Sequence, residues 1–113
     1  MSEDLEQVYL FGFSEKTGNH LERLLPLLKI QIDKGTKIGI VFIHDGVIGT
    51  TNSGKTPKAI LELLNLKIKL FTMIPDLQAR GIKQNNLHEG IIPIQYERLA
   101  DIVDSTDKII SWM

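Results

Sequence analysis

Apolar positions along this chain recur in two rhythms, one suited to strands and one to helices, and the two alternate from end to end. Residues 8–13 read as a first strand. After a polar stretch (residues 14–18), Asn19 is placed to cap a helix whose apolar positions Leu21, Leu24, Leu25, Leu28 and Ile32 keep a helical spacing. Pro26 falls inside that pattern and predicts a kink or restart, because its nitrogen has no hydrogen to donate. Gly35 is a candidate stop. Residues 37–43 form a continuous apolar run, the mark of a strand buried on both faces.

A loop over residues 44–55 follows. Thr56 and Pro57 supply an N-cap and a first-turn proline for a helix that turns Ile60, Leu63 and Leu64 inward. A third strand covers residues 67–72, and a short helix closed by Gly81 covers residues 75–81. Residues 91–94 make a fourth strand, which Pro93 marks as short or peripheral because it cannot donate to a ladder. A helix over residues 97–104 carries Leu99, Ile102 and Val103 on one side, and residues 108–112 close the chain as a strand. This alternation predicts an α/β domain: a mostly parallel sheet with helices on both faces. Function in such sheets gathers at the carboxyl ends of strands. Those ends are residues 14–17, His44-Asp45-Gly46, Met73 to Asp76, and Gln95-Tyr96.

Composition narrows the chemistry. With 113 residues there is room for one core, so residues 1–113 are expected to form a single domain. The formal net charge of −1 lacks the basic excess of a dedicated nucleic-acid binder, so no direct nucleic-acid partner is expected. No apolar run is long enough to span a bilayer and the first residues are acidic, which makes the cytoplasm the default compartment and a membrane no partner. There are no cysteines. That removes disulfides, thiolate metal sites, persulfides on this chain and cysteine nucleophiles together. His20, His44 and His88 have no close ligand spacing, so neither a metal nor another cofactor is expected.

Four local patterns carry candidate chemistry. Residues 49–56 satisfy the phosphate-loop pattern G-x-x-x-x-G-K-T through Gly49, Gly54, Lys55 and Thr56, in which backbone amides would cradle phosphates. Against it, Gly49 lies several residues beyond the preceding strand, and Pro57 suits Thr56 to plain capping. At His44-Asp45-Gly46, Asp45 would orient His44, or Gly46 would let a ligand or partner approach the backbone. The plainer alternative is a strand-end turn with Asp45 accepting local hydrogen bonds and Gly46 left-handed. Asp76 and Arg80 are four apart on a short helix and predict an ion pair across one turn. Trp112 is either a core plug or an interface anchor.

The order of these pieces resembles a known family. Asp45-Gly46-Val47 after a buried strand, Asp76-Leu77-Gln78-Ala79-Arg80-Gly81 after the next, an apolar strand running into Tyr96, and a terminal Ser111-Trp112 are similar to the DsrH/TusB family of DsrE-like sulfur-relay proteins. The resemblance spans residues 37–113 and is looser before them. It implies a three-layer α/β/α domain on a five-stranded sheet. It also implies assembly with DsrE-like and DsrF-like (TusD- and TusC-like) sulfur carriers, or with itself. The expected role is a non-catalytic, accessory subunit in persulfide relay, for 2-thiolation of the tRNA wobble uridine or for dissimilatory sulfur metabolism. His44, Asp45, Gly46, Asp76, Arg80, Gly81 and Trp112 are then fold and interface residues. Leu24 stands near the place where some members carry a first-helix cysteine. The loop over residues 48–56 is longer than the family's usual one, which favours the plain reading of Gly54-Lys55-Thr56. A small nucleotide- or phosphate-binding domain using residues 49–56 is the alternative.

Overall fold

A computed structural model describes residues 5–14, 19–52 and 54–112. The elements run Gln7–Phe11 (β1), His20–Asp33 (α1), Ile38–Phe42 (β2), a 3₁₀ turn His44–Thr50, Lys58–Leu64 (α2) and Ile68–Met73 (β3). Then come Ile74–Ala79 (α3), a short 3₁₀ turn Gln84–Asn86, Ile91–Ile94 (β4), Tyr96–Ser105 (α4) and Lys108–Trp112 (β5). The five strands lie in the order β4-β3-β2-β1-β5, and every neighbouring pair is parallel.

Chain order explains the layers. From β1 to β4 the strands step toward one edge, so right-handed crossovers put α1, α2 and α3 on one face. β5 then returns past all of them to pair with β1, and its connecting helix α4 falls on the opposite face. Two core clusters record this division. Tyr9, Phe11, Ile40 and Phe42 meet Leu21, Leu24, Leu25 and Leu28 of α1, Ile60 and Leu63 of α2 and Leu77 of α3. On the other face Val8, Val41, Phe71 and Met73 meet Ile102 of α4, with Leu99 and Ile109 packed partly against them. The central β2 is buried at all five positions, as a strand covered on both sides must be. β4, with Pro93, is an edge strand.

Several local expectations change. Helix α1 runs unbroken through Pro26, which is exposed, so the missing amide lies on the solvent side of the helix. Asn19 occupies the N-cap but makes no side-chain capping bond. The end of α1 is as predicted: Gly35, at φ +84°, donates to the Ile32 carbonyl at 2.9 Å and Thr36 to that of Gln31 at 3.0 Å, a Schellman closure. Helix α2 begins one residue later than its capping signal, with Pro57 at the N-cap and Thr56 outside the helix. In α4 only Ile102 is buried; Leu99 is half-buried and Val103 is exposed. Tyr9, buried in the first cluster, donates its hydroxyl to Gln31 Oε1 at 2.9 Å, and burial pushes its phenol above the usual value.

Candidate functional site

The carboxyl ends of β1, β2 and β3 are tied to one another by the chain itself. Ile43 donates its amide to the Phe11 carbonyl at 2.9 Å, and Gly12 donates to the Trp112 carbonyl at 2.9 Å. The chain then turns at His44, whose φ of 49° is left-handed and rare for a residue with a Cβ. What holds it is Asp76: its Oδ2 accepts the His44 amide at 2.9 Å from the start of α3. The His44 ring remains exposed.

Arg80 supplies the second tie. The spacing within α3 predicts pairing with the Asp76 carboxylate, and the structure corrects this. Arg80 Nη1 reaches the Asp76 main-chain carbonyl at 3.1 Å, while Nε and Nη2 donate to Asp45 Oδ1 at 3.2 and 3.0 Å. The two carboxylates thus divide the work between neighbouring strand ends: Asp76 holds the β2 turn, and Asp45 anchors the guanidinium after α3. Asp45 therefore accepts from Arg80 rather than taking the local turn bonds expected of it. Gly81, at φ +67°, lets α3 close with its own Schellman pair, Gly81 to Gln78 at 3.1 Å and Ile82 to Leu77 at 2.9 Å.

Gly46 is needed for a different reason from the predicted left-handed turn. It is buried, and a Cβ there would lie 2.2 Å from the Phe11 carbonyl oxygen. The backbone that approaches it is this chain's own β1, leaving no space for a ligand. Trp112 is half-buried on edge strand β5, where part of its ring rests against the first cluster.

The described residues of the segment 49–56 are not arranged as a phosphate cradle. Gly49 and Thr50 are buried within the 3₁₀ turn, and the Thr50 hydroxyl donates to the Val47 carbonyl at 2.6 Å. Thr51 bridges antiparallel to Leu87, and the Asn52 amide donates to the Asn86 carbonyl at 2.7 Å. This backbone is therefore spent on the loop before β4. Gly54 is left-handed, Lys55 is exposed and Ser53 lies outside the described residues. Thr56, predicted as a cap, instead meets His88 Nε2 at 3.1 Å. A phosphate loop runs directly from strand to helix with its amides turned to the anion; here Thr50, Thr51 and Asn52 are instead tied to the 3₁₀ turn and to the loop before β4.

The three histidines have different neighbours. His20 stacks on Phe13 at 3.7 Å between ring centroids, His44 faces solvent, and His88 engages Thr56. Among the described residues, no group of three His, Asp or Glu side chains is placed to hold a metal ion. No helix among them is long and apolar enough to cross a membrane. Residues 15–17, expected at the end of β1, lie outside the described residues, as does the acidic start of the chain. Leu24, set by resemblance near a family cysteine, is wholly buried in the core, a position from which a side chain reaches no partner.

The Asp45–Arg80 tie is the feature that sequence spacing missed. Its signal was present in two quoted motifs, the aspartate after β2 and the arginine after α3, which neighbouring parallel strands bring to one rim.

Comparison with known proteins agrees with this architecture. The ychN protein from E. coli superposes with a TM-score of 0.78 at 17% identity, covering 96% of this chain and 99% of that one. MTH1491 from Methanobacterium thermoautotrophicum, described as a protein of unknown function, gives 0.64 at 17% identity over 80% of this chain and 82% of its own. At these identities the likeness is one of fold. No curated protein matches the sequence. A family model described as "DsrH like protein" matches residues 14–109, most of the chain. With the strand-end motifs now seen to brace one another, the chain belongs to the DsrH-like family and is a sulfur-relay related protein.

Proposed function

We propose that this chain is a non-catalytic, accessory subunit of a persulfide-relay complex, which docks a DsrE-like or DsrF-like sulfur carrier through the rim around His44, Asp45 and Arg80. The observation that carries the reading is the form of that rim. Among the described residues it presents exposed polar groups on a turn held from two sides, with Gly46 packed against the β1 backbone and, since the chain has no cysteine, no thiol. The Asp45 side chain is 65% exposed while bonded to Arg80, so the pair is fixed in place but still available to a partner. A surface of this kind suits orientation of another subunit's reactive group better than chemistry of its own. The same rim in a second copy of the chain would serve a homo-oligomer.

The test is co-purification from the native organism. A cysteine-bearing DsrE-like or DsrF-like protein is expected with the wild-type chain and is expected to be lost with Arg80→Glu, the variant keeping its circular dichroism spectrum. Recovery of no such partner, together with a stable monomer in solution, overturns the proposal. Deleting the gene and quantifying 2-thiouridine in tRNA by mass spectrometry separates the two destinations. Loss of the modification assigns the relay to tRNA, and its retention overturns that destination.

A further inference from the structure

The sheet has two edges, and they differ. At one lies β4, whose Pro93 has no N–H to offer a further strand. At the other lies β5, a run of Lys108, Ile109, Ile110, Ser111 and Trp112 without proline or glycine. Its bonds to β1 fix which way its backbone points. Lys108 donates its amide to the Glu6 carbonyl at 3.2 Å, and the Trp112 carbonyl accepts from Gly12 at 2.9 Å. Backbone groups alternate sides along a parallel strand, so Lys108, Ile110 and Trp112 face β1 while Ile109 and Ser111 turn theirs outward. Among the described residues nothing is hydrogen-bonded to those outward groups.

The two open residues flank Ile110, which makes this edge complementary to itself. When a second β5 runs antiparallel about a two-fold axis at Ile110, Ile109 of each copy stands opposite Ser111 of the other. Each such pair exchanges both of its N–H···O bonds, so every outward group of the two residues is satisfied. The pairs between and beside them are the close, non-hydrogen-bonded kind, with Cα atoms about 4.5 Å apart. They set Ile110 against Ile110 and Lys108 against Trp112, all on one face. Lys108 is exposed, and alone its charge would discourage edge pairing; in this register it meets the half-buried indole as a cation–π pair. We infer that the chain forms a homodimer by antiparallel pairing of β5 with β5, which joins two sheets into one. The contact is isologous and closed, and Pro93 guards the edges that remain. Strand direction reverses between the copies, so their His44–Arg80 rims point in opposite directions. The pairing does not depend on the docking role proposed for that rim.

An interface this small belongs to the weak end of protein contacts, so the test is made at high concentration. Amide exchange followed by NMR at about 1 mM, which populates contacts of sub-millimolar affinity, is expected to show Ile109 and Ser111 protected. That protection should fall at least tenfold on dilution, while Ile110, bonded to β1, stays protected throughout. Ser111→Pro removes an outward donor without touching the β1 ladder, and should abolish the protection of Ile109 while keeping that of Ile110. Should that variant fail to fold, mixed labelled and unlabelled wild-type chains decide the matter through an intermolecular Overhauser contact between the Hα atoms of Lys108 and Trp112. Arg80→Glu, the variant that tests the docking rim, is expected to change none of this. Rapid exchange of Ile109 and Ser111 in the concentrated sample overturns the proposal, and so does a dimer whose intermolecular contacts lie elsewhere. Protection that arises only when a cysteine-bearing carrier is added makes the occupant that carrier, and self-pairing is then wrong.

Discussion

The two rims of the sheet are built on opposite plans. At the carboxyl end, where parallel sheets ordinarily leave a crevice, the described residues pack the turn after β2 onto its neighbours: Gly46 sits against the Phe11 carbonyl, Asp76 holds the His44 amide and Arg80 spans to Asp45. At the amino end, connections ending in Gly35 and Gly90 leave a groove. The comparison teaches that strand polarity alone does not place a cavity. Side-chain size and backbone approach at each turn decide which rim is closed, and a closed polar rim is suited to surface contact.

The largest effect is expected at the tightest point of the closed rim. Gly46→Ala drives a methyl into main chain rather than into a movable side chain, and should cost about 3 kcal/mol or more, measured by urea denaturation. A loss below 1 kcal/mol would show that β1 and the turn separate easily and that the rim is not rigid. Next comes Tyr9→Phe, which probes the core between the two rims. Loss of the bond to Gln31 should cost about 1 kcal/mol near neutral pH. Because the folded pKa of Tyr9 is raised, its neutral form is favoured by the fold. The associated stability is complete below the unfolded value near 10 and falls as pH rises past it. The variant should therefore lose less stability than the wild type between neutral and strongly alkaline pH, and parallel losses would contradict the burial argument.

Smaller effects separate holding from docking. A double-mutant cycle on Asp45→Ala and Arg80→Ala should give a coupling of less than about 1 kcal/mol in the isolated chain, because both side chains touch water. The same variants should abolish co-purification of the partner. His44→Gly releases a left-handed backbone but adds unfolded-state freedom, so stability should stay within about 0.5 kcal/mol. Partner binding that survived this change would remove the imidazole from the proposed contact.

How much of this could be read from the sequence depended on the distance over which each feature is decided. β2 was legible because both faces of the strand are covered, so every position is apolar. The leucines of α1 and the stop at Gly35 were legible because periodicity and a left-handed close are local. Pro26 misled because its consequence depends on which side of the helix meets solvent. Thr56 misled because its hydroxyl is engaged by His88, thirty-two residues away. Arg80 was given the carboxylate nearest in sequence, whereas strand order brings Asp45 to it. The groove gave no sequence signal at all, because its walls come from segments near residues 5, 35, 67 and 90 that only the sheet unites.

The place of β5 bears on how the chain comes to be made. Because the last strand pairs with the first, Gln7↔Lys108 through Phe11↔Trp112, one side of β1 stays unpaired during synthesis until residues 108–112 have left the ribosome. β2, β3 and β4 can add in turn as they emerge, but the opposite edge waits for α4 to cross the whole sheet. An early-terminated chain would therefore present the apolar β1 segment as an open edge, ready to recruit a strand from another molecule. The final five-residue strand thus closes the domain and also ends its period of greatest exposure to misassembly.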